Sequence, residues 1–185
     1  MAKIVYSMLT SLDGYIAGPE GDIALPVPEA ELHQHFNDLM RQASVVLAGR
    51  RMYEMMRFWD SPDRETGDTE VERDFARAWR ETPKIVFSTT LREVGPNARL
   101  VDDDAETTVR SLKAETEGLV ILGGADLAAS LSRAGLVDEF RLYMHPVVLG
   151  GGKPYFHSGQ SLTLRPLGTE SLSQGVTLLR YAPAS

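Results

Sequence analysis

Cysteine is missing from the whole sequence. Disulfides, thiolate zinc sites and thiol nucleophiles are therefore excluded together, and the redox compartment is left open. Basic charge is scarce as well: 19 Lys and Arg stand against 26 Asp and Glu, for a formal net charge of -7. Grasping a nucleic-acid backbone takes a basic stripe, so no nucleic-acid partner is expected, and any anionic ligand must be met by local features. No apolar run approaches the roughly 20 residues of a membrane span, and the start MAKIVYSMLTSLDG has neither a long apolar stretch nor a small-residue cleavage site. The expected location is the cytoplasm, with no membrane partner. His33, His35, His145 and His157 lack metal-ligand spacing, and the first two fall on different sides of a helix; no metal is expected.

What is present suits an ordinary globular protein. With 185 residues, 43% hydrophobic and 24% charged, the chain is read as one domain, 1–185, with a packed core. Residues 4–9 read as a first strand. Across 29–43, Leu32, Phe36, Leu39, Met40 and Ala43 recur at steps of three and four, which predicts a helix with one apolar face. The continuous apolar run 44–48 predicts a strand buried on both faces. A short helix opens at Gly49-Arg50-Arg51, and 57–68, with Pro62 and Gly67, reads as a surface loop. Val71, Phe75, Ala78 and Trp79 mark the next helix, followed by a strand at 84–88 and a weaker one near 98–101. Asp103 and Glu106, at capping-box spacing, are expected to start a helix with Ala105, Val109 and Leu112 inward. A buried strand at 119–122 breaks at Gly123-Gly124. The helix after it, carrying Leu127, Ala128, Leu131 and Ala134, is expected to stop at Gly135. From Val137 onward helices cease: Phe140, Leu142 and Met144 alternate, then Leu162 and Leu164, then Val176 and Leu178. Alternating strands and helices followed by strands alone predict an α/β fold in three layers: a mixed, mostly parallel sheet, helices on both faces, and an antiparallel C-terminal edge.

In such a sheet, ligands bind beyond the carboxyl ends of the parallel strands, where loops bring helix N-termini together. Gly49-Arg50-Arg51 offers backbone approach and two guanidiniums, Gly123-Gly124-Ala125 repeats the turn without the charges, and Ser88, Thr89 and Thr90 put hydroxyls at another strand end. Together these describe a phosphorylated dinucleotide held by two helix starts. The fingerprint G-x-G-x-x-G is absent, as is the acid expected about 20 residues later, so an NAD-type Rossmann site is disfavoured. GGGKPY at 150–155 lacks the Ser or Thr of a P-loop and reads as a glycine-rich turn that could touch the ligand. Phe58 and Trp59 could stack on a ring or anchor their loop. Met8, Met40, Met55, Met56 and Met144 read as core filler, and Asp138 and Glu139 as a solvated edge.

The ordered set SMLTSLDGYIAG, VVLAGRRMYE, KIVFSTT, VILGGADLAASL and VDEFRLYMHPVVLGGGKPYF resembles the dihydrofolate-reductase-like superfamily. The closest likeness is to the branch holding the reductase domain of the bifunctional riboflavin-biosynthesis deaminase-reductase. The resemblance implies NADPH as cofactor, hydride passed to a small pteridine, pyrimidine-like or related unsaturated substrate, and a homodimer. It implies that Gly49, Arg50, Arg51, Gly123, Gly124, Ala125 and Asp126 hold the cofactor phosphates. Ser88 and Thr89 would stand near the adenosine 2'-phosphate, and Ile16 and Ala17 in the loop closing over the nicotinamide. Asp13 and Glu31 are the catalytic candidates, Asp13 pinning the bend of that loop. The proton donor departs from the pattern: Leu25-Pro26 is followed by Val27-Pro28, and Glu29 and Glu31 come late. Met52 stands where folate reductases commonly have Thr. Two other readings stay open: an NADP(H)-binding module without turnover, and an interaction protein that dimerises through 162–181.

Overall fold

The computed structural model describes residues 1–61 and 69–184, so Pro62 and Gly67 of the expected loop lie outside the described residues. The strands are β1 (Lys3–Thr10), β2 (Tyr15–Ala17), β3 (Ala43–Gly49), β4 (Lys84–Phe87), β5 (Ala98–Val101), β6 (Leu119–Gly123), β7 (Glu139–Met144), β8 (Lys153–Pro154), β9 (Leu164–Ser171) and β10 (Thr177–Pro183). The helices are α1 (Ala30–Gln42), α2 (Arg50–Met56), α3 (Glu70–Glu81), α4 (Ala105–Glu115) and α5 (Ala125–Arg133). An eight-stranded sheet runs in the order β5-β4-β3-β6-β1-β7-β10-β9, and β2 pairs with β8 in a separate ribbon. From β5 to β7 the neighbours are parallel; β10 is antiparallel to both β7 and β9. The expected α/β architecture with its antiparallel edge is what forms.

Alternation along the central strands builds the two cores. Val45 and Leu47 of β3 and Val120 and Leu122 of β6 face Val109 of α4 and Leu127, Ala128 and Leu131 of α5. Val46, Ala48 and Ile121 face Leu39 and Met40 of α1 and Phe75, Ala78 and Trp79 of α3. Both sides of these strands are thus covered, which is why they read as continuous apolar runs. Each fully buried aliphatic side chain contributes about 1.5–3 kcal/mol. Gly135 ends α5 as expected: at φ 68° it lets the Leu136 N–H return to the Leu131 carbonyl at 2.9 Å. A lysine closes α3, with the buried Lys84 ammonium donating to the carbonyls of Trp79 and Thr82 at 2.6 and 2.8 Å. Burial lowers its pKa to about 8.

Four expectations are corrected. The N-cap of α4 is Asp104, whose carboxylate accepts from the N–H groups of Glu106 and Thr107; Asp103 stands one residue too early. Met55 is 44% exposed, not core. The glycine-rich turn contains β8, paired with β2, because the pairing partner lies far away in sequence and leaves no local trace. Asp138 and Glu139 are not a solvated edge: β7 sits inside the sheet, between β1 and β10. Asp138 accepts from the Ile4 N–H at 2.8 Å and pairs with Lys113.

Glu139 is fully buried and is met by Lys3, Arg141 and Arg180. Burial pushes its pKa up, but hydrogen bonds from Arg180, Arg141 and Lys3 outweigh that and bring it to about 2. A carboxyl with a depressed folded pKa stabilises fully above its ordinary value, near 4.5, and the contribution is lost as pH falls toward 2. Glu139→Gln is expected to cost about 2–4 kcal/mol at neutral pH, less than a fully enclosed pair because Lys3 and Arg180 keep part of their hydration. Urea denaturation between pH 2 and 7 checks this: the variant should lose less stability than the parent across the acid limb.

Candidate active site at the carboxyl rim

Parallel strands open at one rim, and β3 and β6 are neighbours with Ala48 opposite Gly123. Their outgoing turns meet. A Cβ placed on Gly124 would lie 3.5 Å from Met52 Cβ and 4.0 Å from the Gly49 nitrogen, and one on Gly123 would press Met52 at 3.1 Å. Gly124 has φ 97° and caps α5 without any side-chain hydrogen bond, so among the described residues no side chain satisfies the first N–H groups of this helix start. The two glycine turns thus lie side by side, with Met52 packed between them. Arg50 leans toward the end of β4, donating from Nη1 to Thr90 Oγ1 at 3.2 Å. The Ser88 hydroxyl oxygen accepts from the N–H groups of Thr90 and Leu91, while Thr89 and Arg51 are exposed. Gly49, Arg50, Arg51, Ser88, Thr89, Gly123, Gly124 and Ala125 therefore share one stretch of rim.

The end of β1 is built differently. Ser11 is buried; its hydroxyl donates to Asp13 at 2.6 Å and accepts from the Tyr15 N–H at 2.9 Å. The Gly14 N–H closes the turn on the Ser11 carbonyl at 3.0 Å, with φ 85° at Gly14. Asp13 then reaches across, accepting from the N–H groups of Leu149 and Gly150 at 3.1 and 2.8 Å. Its carboxyl pKa is lowered, first by the Ser11 hydroxyl and further by those backbone donors. The β1–β7 ladder continues past the rim, from His145 to Thr10 and from Leu12 to Val147. Ala17 of β2 then pairs with Lys153 of β8. Ile16, half-buried, packs against the α4–α5 core. Gly152 is obligatory here: a Cβ would fall 2.1 Å from the Ala17 carbonyl oxygen.

Glu31 is placed apart from the two glycine turns. It is exposed in the first turn of α1, next to Leu32, which packs on Tyr143, Val176 and Leu178, and so flanks the β7–β10 side of the rim. Trp59 packs edge-on against His33 and Phe75, which makes it a loop anchor, whereas Phe58 is 51% exposed. His33 bonds Asn37 and His35 bonds Tyr143, so the two rings serve different partners.

Two features escaped the sequence reading. Asp126, in the first turn of α5, is paired with Lys153 and stands 2.9 Å from His157 Nε2; GGGKPYFH holds both partners, but nothing local connects them to α5. At the end of β1 and β7, Thr10 Oγ1 and His145 Nε2 are buried without a protein partner among the described residues. Burial lowers the His145 pKa.

Residues 2–178 match the family of the RibD C-terminal domain. The chain belongs to that family. Among its relatives is the uncharacterized protein YyaP of Bacillus subtilis, 31% identical over 181 residues, covering 97% of this chain and 94% of the relative. A solved protein of Shewanella sp. PV-4, ascribed to riboflavin biosynthesis, superposes with a TM-score of 0.76 at 25% identity, with 100% of both chains covered. Dihydrofolate reductase from Enterococcus faecalis, complexed with NADP(H), gives a TM-score of 0.66 at 14% identity over 100% of this chain and 97% of that one. The RibD C-terminal chain described here thus has the dihydrofolate reductase fold.

Gly152→Ala is expected to force β2 and β8 apart and cost about 1–3 kcal/mol, because backbone and not a flexible side chain blocks the new methyl. Urea denaturation reads the loss. Amide exchange should accelerate at Tyr155, whose N–H bonds the Gly14 carbonyl at 2.9 Å.

Proposed function

We propose that this RibD C-terminal protein is an NADPH-dependent reductase of a small pteridine, pyrimidine-like or related unsaturated ring. The observation that carries the reading is the approach of the Gly49 and Gly124 turns at one rim, with Arg50 directed toward the hydroxyls after β4. A diphosphate suits the uncapped start of α5 at Gly124–Asp126, since a helix start favours negative charge. Glycine at 123 and 124 keeps that backbone approachable, because side chains there would fill the space Met52 and Gly49 already border. Arg50 and Arg51, with Ser88 and Thr89, supply forked and hydroxyl donors for a 2'-phosphate. The family membership and the fold shared with an NADP(H)-bound dihydrofolate reductase support the same cofactor.

Bound along this rim, NADPH would supply the hydride. The chain's own contribution is position: Ile16 and Ala17 border the nicotinamide side, and Asp13 holds that loop against 149–150 so that the reacting rings are kept aligned and water is kept out. The β1–β7 end, with Thr10 and His145, is then the substrate end. Glu31 is the acid available to protonate the reduced bond.

One observation favours binding without turnover. The Asp13 carboxylate is already engaged by Ser11, Leu149 and Gly150, and Glu31 is exposed on α1, so neither acid is held in a dry pocket. Absorbance at the reduced nicotinamide band separates the readings. It should fall when NADPH is mixed with protein and a true substrate, screened among dihydrofolate, the pyrimidinone of riboflavin synthesis and simple enones; binding without any such fall rejects the reductase.

Replacing both guanidiniums, Arg50→Ala with Arg51→Ala, is expected to weaken NADPH by about tenfold or more while changing NADH less than about twofold, as charge-assisted contacts to one extra phosphate are lost. Fluorescence titration of the reduced nicotinamide measures both. Equal losses would reject the 2'-phosphate assignment.

A further inference from the structure

We propose that Lys153 is a direct ligand for the diphosphate of the bound dinucleotide, standing next to the Gly124 turn with Asp126 and His157 beside it. The proposal rests on the dinucleotide reading above and adds residues from a different part of the chain. An acid in the first turn of a helix complements the helix dipole, yet the same charge repels a diphosphate seated on that turn. In α5 that repulsion is answered from outside the helix. One Asp126 oxygen pairs with the Lys153 ammonium, and the other stands 2.9 Å from His157 Nε2. The Asp126 pKa is lowered: burial works against the shift and the Lys153 and His157 contacts outweigh it.

Lys153 is held by backbone, not by chance surface contact. Lys153 lies on β8, paired with Ala17 of β2. Gly152 before it passes so close to the Ala17 carbonyl that no side chain fits, and Asp13 fastens Leu149 and Gly150 just upstream. Lys153 is only 24% exposed, whereas Asp126 is 67% exposed. The more hydrated partner is therefore the acid, and the ammonium is the more enclosed one. An anion bonded to the Asp126 N–H comes within the reach that Lys153 already spans to Asp126, and a doubly charged oxyanion competes well with one carboxylate for it. The Asp126–Lys153 contact also joins α5, on the phosphate side, to the β2–β8 ribbon on the nicotinamide side, which a dinucleotide must span.

Calorimetric titration of the purified protein with NADPH, NADH and inorganic pyrophosphate at constant ionic strength tests this. Lys153→Met should weaken all three by about tenfold, because the diphosphate is common to them, in contrast to the Arg50 and Arg51 double variant, which acts on NADPH alone. Lys153→Arg should stay within about threefold of the parent, and Asp126→Asn, which removes the competing charge, should tighten all three by about threefold. Unchanged binding in Lys153→Met, a loss confined to NADPH, or weaker binding in Asp126→Asn overturns the proposal. If Lys153→Met does not fold, the other two variants decide. A parent protein that binds pyrophosphate through Lys153 but neither nucleotide overturns the dinucleotide reading while leaving the diphosphate site standing; one that binds none of the three overturns both.

Discussion

The parallel pairing of β3 with β6 is the constraint on which the rest of the site depends. Neighbouring strands lie about 4.8 Å apart, and parallel ones release their chains at the same rim. Two strand-to-helix turns are thereby forced into contact. Glycine at 123 leaves room for Met52, which a Cβ would approach to 3.1 Å, and glycine at 124 supplies φ 97°. The outcome is a helix start without a side-chain cap, a local preference for negative charge in a protein whose overall charge is negative.

A second device orders the neighbouring loops. Beyond the rim, β1 and β7 continue as a ladder of backbone and carboxylate contacts in which Asp13 takes the place of a strand. Its value lies in acceptor geometry: two oxygens satisfy two backbone N–H groups that have no strand to pair with, plus the Ser11 hydroxyl. The β2–β8 ribbon hangs from this fastening, and the Asp126–Lys153 pair ties the ribbon back to α5. Loops that would otherwise open independently are thereby linked through a few charge-assisted contacts, the kind of element that can order around a ligand at modest cost.

The two halves of the rim differ in kind. On the β3–β6 side the proposed cofactor contacts come largely from backbone and from exposed cations, which tolerate much variation in the surrounding sequence. On the β1–β7 side the chemistry would rest on particular side chains, and there Asp13 is already occupied while Thr10 and His145 are buried without partners. Binding and turnover are therefore separable properties of this fold, which is why family membership supports a cofactor more strongly than it supports a substrate.

The sequence by itself determined the main helices and central strands and the glycine turns after β3 and β6. Periodicity reports local burial, so α1, β3, β6 and α5 could be read from runs such as 44–48 and 119–122, and glycines after buried strands mark backbone that must approach something closely. Tertiary structure decided what long-range pairing controls. Glu139 reads as a surface acid until β10 and β1 bring Arg180 and Lys3 to it. Lys153 reads as part of a turn until β8 pairs with β2, and Asp126 as one residue of a glycine turn until that pairing brings Lys153 to it. Strand order and loop registry join residues more than a hundred positions apart, and no local pattern carries that information, because the energy that selects the partner is released only when the sheet closes around it.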